Sequence, residues 1–152
     1  MPVHQAVAKD VKAFVFDAYG TIFDVHAAVM RSAAAAGRDA QAFSDLWRAK
    51  QLEYSWVRSL CGQWRDFWAL TEDALDVAFA RFPSIDRSLR ASLLAAYRRL
   101  DAYPEAPDLL RRLRAGGYRV AILSNGEATM LRDAVASAGL ADDLDAVWSV
   151  DL

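Results

Sequence analysis

The chain has 152 residues, 55% of them hydrophobic and 25% charged, with a formal net charge of −2. This composition supports a globular protein with a sizeable core and excludes a disordered chain. Lys and Arg are interspersed with Asp and Glu, which argues against nucleic acid as a partner. The single cysteine, Cys61, excludes an internal disulfide, and no apolar stretch is long enough to span a membrane. We therefore expect a cytoplasmic protein without a membrane partner.

The first half of the chain has the pattern of one strand followed by helices. Residues 11–17, which contain the apolar run Ala13–Phe16, predict a buried strand, and the spacing of apolar residues after it becomes helical. Ser44 is the candidate N-cap of the second helix and Gly62 its stop. The predicted helices cover residues 25–36, 43–61, 67–83 and 84–100.

The second half alternates between helix and strand. Its predicted elements are a helix at 107–115, a strand at 118–123, a helix at 127–138 and a short strand at 146–150. The strand at 118–123 lacks polar alternation, which is typical of a parallel strand covered on both faces. This order predicts an α/β protein with a core domain from residues 1–23 and 104–152 and an inserted helical cap at 24–103.

A carboxylate stands directly after the first predicted strand. Asp17 opens the segment DAYGT, in which Gly20 permits a turn and Thr21 supplies a hydroxyl. Open α/β sheets place their chemistry at the carboxyl ends of strands. We interpret Asp17 as a nucleophile, held near backbone amides of the turn.

Ser124 and Asn125 follow the next strand in the same way. Right-handed crossovers bring the tips of neighbouring parallel strands to one edge, so we expect these side chains to lie near Asp17. On its own, Ser-Asn-Gly after a strand is typical of a plain turn. Its combination with FDAYGT favours a site in which the hydroxyl and amide donate hydrogen bonds to a substrate.

The segments FDAYGT, ILSNG and LWRAKQLEYSWVRSL together resemble the haloacid dehalogenase superfamily. The third segment is similar to the bacterial L-2-haloacid dehalogenases in particular, and the resemblance extends from Val11 to Asp151. It implies a doubly wound, Rossmann-like parallel sheet with an inserted helical cap. It also implies that Asp17 forms an aspartyl ester, with Thr21 hydrogen-bonded to its carboxylate.

The same resemblance assigns the substrate contacts. Arg48 would bind the departing halide or the substrate carboxylate, and Ser124 and Asn125 the carboxylate; a planar guanidinium suits such a task. Tyr19, Leu52 and Phe67 match positions that line an apolar substrate pocket. Each of these three is equally compatible with plain core packing, and Trp56, Trp64 and Trp68 are interpreted as packing residues of the cap.

The residue two positions after the nucleophile separates two activities. Most phosphatases of the superfamily carry an aspartate there as general acid, whereas this sequence has Tyr19. A halide leaves without a proton, so the tyrosine favours carbon–halogen cleavage. The predicted function is an (S)-2-haloacid dehalogenase acting on short 2-haloalkanoic acids without metal or cofactor. The alternative is a magnesium-dependent phosphatase of the same superfamily.

The resemblance also implies residues that this sequence does not contain. A family member would continue beyond Asp151 with a third-motif lysine and a fourth motif. We therefore expect a partial sheet, impaired turnover or a non-catalytic remnant, and a first strand left at the sheet edge. An exposed apolar edge favours pairing with another chain, so we expect self-association or a homodimer.

Overall fold

The structure, a computed structural model, describes residues 10–150, without the side chain of Ala33. Its centre is a parallel sheet in the order β1-β2-β3. The strands are β1 (Ala13–Phe16), β2 (Arg119–Ser124) and β3 (Ala146–Ser149). In the described part of the chain β1 pairs only with β2, which confirms its predicted place at the edge.

Helices fill the intervals between the strands. The first five helices after β1 are called the cap below: α1 (Ala27–Arg31), α2 (Ala33–Ala36), α3 (Ala40–Leu60), α4 (Phe67–Arg81) and α5 (Arg90–Tyr97). The other two are α6 (Ala106–Ala115), before β2, and α7 (Ala128–Ser137), between β2 and β3. The α/β class with a helical cap is therefore confirmed, whereas the exact domain limits remain a prediction.

Two predicted details of the cap are wrong. The single helix predicted at 25–36 is interrupted at Ser32, whose amide donates to the carbonyl of Val29 in a tight turn that ends α1. Serine competes with the helical backbone for hydrogen bonds, which the surrounding alanines do not. Ser44 does not cap α3, because the helix begins at Ala40 and the Ser44 side chain is buried inside it, 2.8 Å from Nδ1 of His26.

One face of the sheet is covered. Both crossovers run to the same side, where α6 packs against β2 and α7 against β3, and on this face Val120 and Ile122 are fully buried. On the opposite face Val15, Leu123 and Trp148 are 54%, 48% and 52% exposed. The prediction that β2 is covered on both faces is therefore wrong at Leu123, because no described helix packs against that side.

The cap has its own apolar interior. Phe43 and Trp47 of α3 pack against α4, and the ring of Phe43 meets that of Phe79 edge-on at 5.1 Å. Trp56 and Trp64, predicted to pack in the cap, are instead mostly exposed. They lie at the far end of the α3–α4 pair, around the turn that ends α3 at Leu60.

Candidate active site

A tight turn presents Asp17 at the tip of β1. The carbonyl of Ala18 accepts hydrogen bonds from the amides of Thr21, Ile22 and Phe23. Gly20 has a φ of 94°, in the left-handed region that favours glycine. Asp17 is exposed, and among the described residues its carboxylate makes no hydrogen bond or ion pair.

The tip of β2 lies beside this turn. Asp17, Ser124 and Asn125 line one open depression of about 220 Å³, together with Leu123 and Val150. Ser124 is buried and its hydroxyl accepts a hydrogen bond from the amide of Gly126, at 3.2 Å. The structure thus brings together the three polar residues that the sequence placed at the strand tips. It shows no hydrogen bond between Thr21 and Asp17, so that contact stays a prediction.

Arg48 reaches from the cap to the turn that follows Asp17. Its Nη2 donates a hydrogen bond to the backbone carbonyl of Tyr19, at 2.7 Å. Its Nη1 is buried and has no hydrogen-bond partner in the described part of the chain. A cationic N–H group left unpaired in a buried position is costly unless an anion occupies the space before it.

Tyr19 is the residue through which cap and core meet. Its ring is 4% exposed and stacks on Tyr97 of α5, with ring centroids 6.0 Å apart and an interplanar angle of 5°. It also stacks on Phe67 of α4, at 6.3 Å. On the core side it lies so close to Gly126 that a Cβ there would come within 2.5 Å of the ring, so only glycine fits.

The Tyr19 phenol remains neutral. Desolvation by burial raises its pKa, and its hydroxyl has no hydrogen-bond partner among residues 10–150. A phenol with a raised pKa is a poor general acid. The geometry therefore fits a residue that shapes the site, and gives Tyr19 no role in proton transfer.

A buried chain of hydrogen bonds fixes the helix that carries Arg48. The Tyr97 hydroxyl donates to Oε1 of Gln51 at 3.1 Å, and Nε2 of Gln51 donates to the Thr71 hydroxyl at 3.0 Å. Nε1 of Trp47 donates to the Thr71 carbonyl at 2.9 Å. Three cap helices are joined in this way. The sequence analysis missed Gln51 and Tyr97 as contributors, although Gln51 lies one turn after Trp47 and so on the same face of α3.

Replacing Tyr19 or Tyr97 by phenylalanine is expected to change the free energy of unfolding in opposite directions. Tyr19→Phe removes a buried hydroxyl without a partner, so we expect the free energy of unfolding to rise by about 1 kcal/mol. Tyr97→Phe leaves the buried Gln51 carbonyl unpaired, and we expect a loss of about 1–3 kcal/mol. Urea unfolding monitored by circular dichroism measures both. A loss of stability in Tyr19→Phe would show that its hydroxyl has a partner in solution.

A second depression continues the first into the cleft between cap and core. It encloses about 90 Å³ and shares Asn125 and Val150 with the Asp17 depression. Its other lining residues are Ser55, Arg58, Ser59, Trp64, Arg65 and Phe67. Phe67 thus lies where the sequence predicts a pocket residue. Leu52 is half-buried one turn after Arg48 and lines neither depression.

Two features are absent from residues 10–150. No group of three or more His, Cys, Asp or Glu side chains is placed to hold a metal ion. No helix in this range is both long and apolar enough to cross a membrane.

A parallel sheet with a helical cap inserted after its first strand, and a carboxylate at that strand's tip, is a capped Rossmann-like architecture. Residues 11–152 match the family model of the haloacid dehalogenase-like hydrolases. The chain belongs to this family.

Curated relatives are similar to the chain over most of its length. The (S)-2-haloacid dehalogenase 4A of Burkholderia cepacia is 49% identical over 142 residues, which are 93% of this chain and 62% of that protein. The (S)-2-haloacid dehalogenase of Xanthobacter autotrophicus is 44% identical over 142 residues, which are 93% of this chain and 55% of that protein. The chain therefore spans less than two thirds of the length of these relatives.

Solved structures of dehalogenases also superpose closely on this chain. The crystal structure of a dehalogenase superposes with a TM-score of 0.91 at 47% identity, covering 95% of this chain and 65% of that one. The L-2-haloacid dehalogenase of Xanthobacter autotrophicus with chloropropionic acid covalently bound superposes with a TM-score of 0.82 at 44% identity, covering 93% and 57%.

Proposed function

We propose that the protein acts as an (S)-2-haloacid dehalogenase on short 2-haloalkanoic acids. Relatives with this activity in their names are 44–49% identical to it over 142 residues. A structural neighbour carries covalently bound chloropropionic acid. The products of such a reaction are a 2-hydroxy acid, a halide ion and a proton.

In the proposed reaction Asp17 is the nucleophile. One carboxylate oxygen attacks C2 of the substrate from the side opposite the halogen, a C–O bond forms, and the halide leaves with the bonding electrons. Water then attacks the carbonyl carbon of the aspartyl ester, which restores Asp17 and releases the 2-hydroxy acid. The exposed carboxylate, without a hydrogen bond among the described residues, supports the first step, because its lone pairs are available.

The observation that carries the proposal is the position of Arg48. The hydrogen bond from Nη2 to the carbonyl of Tyr19 holds the guanidinium beside the turn that follows Asp17. Its Nη1 is buried and has no hydrogen-bond partner in the described chain. Halide and carboxylate are the anions of this reaction, and a fixed cation stabilises negative charge that develops on a leaving halogen. Ser124 and Asn125, beside Asp17, are proposed to bind the substrate carboxylate.

The remaining assignments concern the shape of the site. Tyr19 and Phe67 are stacked and buried, which supports their proposed place in the apolar wall of the pocket. Leu52, half-buried on α3, is proposed to extend that wall, and Thr21 to orient the Asp17 carboxylate on substrate binding.

Incubation with (S)-2-chloropropionate tests the proposed function. We expect mass spectrometry to find a propionate ester on the peptide that contains Asp17, and ion chromatography to find released chloride. The (R) enantiomer is the matched control and should give neither. An ester without sustained chloride release would mean that attack occurs and hydrolysis does not. Release of phosphate from a phosphomonoester, with no ester on Asp17, would support the phosphatase instead.

We also propose that the protein is cytoplasmic and forms a homodimer. The exposed free thiol of Cys61 is typical of a reducing compartment. Trp56, Val57 and Leu60 form an exposed apolar surface at the end of α3, which supports pairing of two copies about a two-fold axis. Sedimentation velocity at micromolar concentration should give the mass of a dimer; a monomer would contradict the proposal.

A further inference from the structure

The buried hydrogen bonds of the cap form a chain with a fixed direction. The Thr71 hydroxyl donates to the carbonyl of Phe67, one turn earlier in α4, at 2.8 Å. This hydroxyl has a single proton, so towards Gln51 its oxygen can only accept, and Nε2 of Gln51 donates to it. The Gln51 amide is therefore oriented with its Oε1 towards the Tyr97 hydroxyl, which donates to it.

The direction of the chain decides what Tyr97 offers to its other neighbours. Its only hydroxyl proton is used on Oε1 of Gln51, so towards any further group the Tyr97 oxygen can only accept. A guanidinium has donors and no acceptor. The end of the chain is thus matched to an arginine.

Three contacts place Tyr97 next to Arg48. Its ring packs against that of Trp47, the residue before Arg48, with ring centroids 5.0 Å apart. Gln51, whose Oε1 accepts the Tyr97 proton, lies three residues after Arg48 on α3. Tyr19, on which the Tyr97 ring stacks, supplies the carbonyl to which Nη2 of Arg48 donates. Tyr97 therefore contacts both elements that Arg48 joins, which are α3 and the turn that contains Tyr19.

The Tyr97 phenol is neutral. Burial raises the pKa of Tyr97, and the positive charge of Arg48 opposes this shift without reversing it. A neutral oxygen can orient a guanidinium without cancelling its charge, whereas a phenolate would form an ion pair with it. Arg48 consequently keeps its positive charge for an anion.

We propose that Thr71, Gln51 and Tyr97 are positioning residues for Arg48: their hydrogen-bond chain directs the Tyr97 oxygen towards the guanidinium and holds it in the orientation that faces an anion. This inference rests on the proposed function of Arg48 in binding an anion. Thr71 is its most informative member, because its side chain is fully buried and is separated from Arg48 by the other two side chains of the chain.

Proton exchange of the Arg48 guanidinium tests the proposal without any catalysis. In uniformly ¹⁵N-labelled protein, the Arg48 signals are assigned by their loss in Arg48→Lys. Thr71→Val removes the hydroxyl at nearly unchanged shape, and we expect the Nη protons of Arg48 to exchange with water about tenfold faster. Thr71→Ser keeps the hydroxyl and is the matched control, with exchange within about twofold of the wild type.

The Nε1 proton of Trp47 separates positioning from a general loss of stability. It is donated to the backbone carbonyl of Thr71, which both variants retain. Opening of the whole cap would speed exchange at Trp47 and Arg48 by the same factor, whereas loss of the chain speeds it at Arg48 alone. If Thr71→Val does not fold, Tyr97→Phe deletes the acceptor itself, and Tyr19→Phe, which removes the neighbouring hydroxyl, is its control.

Ester formation with (S)-2-chloropropionate gives a second readout. We expect Thr71→Val to lower the rate constant about tenfold and Thr71→Ser to restore it. In an Arg48→Lys background Thr71→Val should cause no further loss, because the group that the chain positions is gone.

Three results would overturn the inference. One is equal exchange at Arg48 in the wild type, Thr71→Val and Tyr97→Phe. Another is equal acceleration at Trp47 and Arg48 in these variants. The third is a loss of rate in Thr71→Val that is the same with and without Arg48. If the wild type forms no ester, the proposed function fails, while the exchange experiment still decides whether the chain positions Arg48.

Discussion

Replacing Asp17 with asparagine is expected to lower the rate of ester formation with (S)-2-chloropropionate by on the order of 10⁴-fold or more. An amide has nearly the shape of the carboxylate but is a poor nucleophile. Asp17 is exposed and makes no hydrogen bond within the described residues, so the free energy of unfolding should change by less than about 0.5 kcal/mol. Loss of reaction without loss of stability is therefore the expected pattern.

The matched control for this variant is Asp10→Asn, which makes the same charge change at an exposed position before β1. It should react like the wild type. Mass spectrometry of the intact protein and of its peptides measures the ester, and urea unfolding measures stability. Wild-type reactivity in Asp17→Asn would assign the nucleophile to another residue.

Arg48→Lys is expected to slow ester formation by on the order of 10²-fold. The arginine donates through Nη2 to the Tyr19 carbonyl while Nη1 remains available. A lysine side chain has a single nitrogen. If its ammonium keeps the hydrogen bond to the Tyr19 carbonyl, no nitrogen remains at the position of Nη1, where we propose that the anion binds. The positive charge is conserved, and the expected loss therefore measures the geometry of the guanidinium.

Arg114→Lys is the control for Arg48, because Arg114 also donates to a backbone carbonyl, that of Asp142 at 2.7 Å, on an exposed surface. It should leave ester formation unchanged. The rate is followed over a series of substrate concentrations, which separates weaker binding from slower attack. Equal rates in Arg48→Lys and the wild type would make Arg48 a structural residue that only joins the cap to the core.

The strand tips were the most predictable part of the molecule. Asp17 and Ser124 each follow an apolar run, and the rule that parallel strands end at one edge placed them in one depression. This placement is correct because it depends on chain direction and on local sequence. Arg48 also lies near the site, since its Nη2 donates to the carbonyl of Tyr19 in the turn after Asp17, whereas its role in substrate binding stays a prediction.

Features that depend on tertiary packing were not predictable in the same way. Gln51 is polar and lies within a helix, so sequence patterns assign it to solvent, yet its amide is fully buried between Tyr97 and Thr71. Trp56 and Trp64 show the reverse: their spacing predicts packing, but they are mostly exposed, one near the end of α3 and the other in the segment after it. Periodicity identifies a helix face but does not identify what lies opposite it.

The register of the sheet also joins parts of the chain that are far apart in the sequence. Ala13 pairs with Arg119, so β1 and β2 are about a hundred residues apart in the sequence. Joining them requires closure of a long loop, whose entropic cost is repaid only after both strands are in place. The α3–α4 pair, by contrast, is joined by the short segment between Leu60 and Phe67. The cap helices can therefore assemble first and, by shortening the effective loop, bring the two strand ends of the active site within reach of each other.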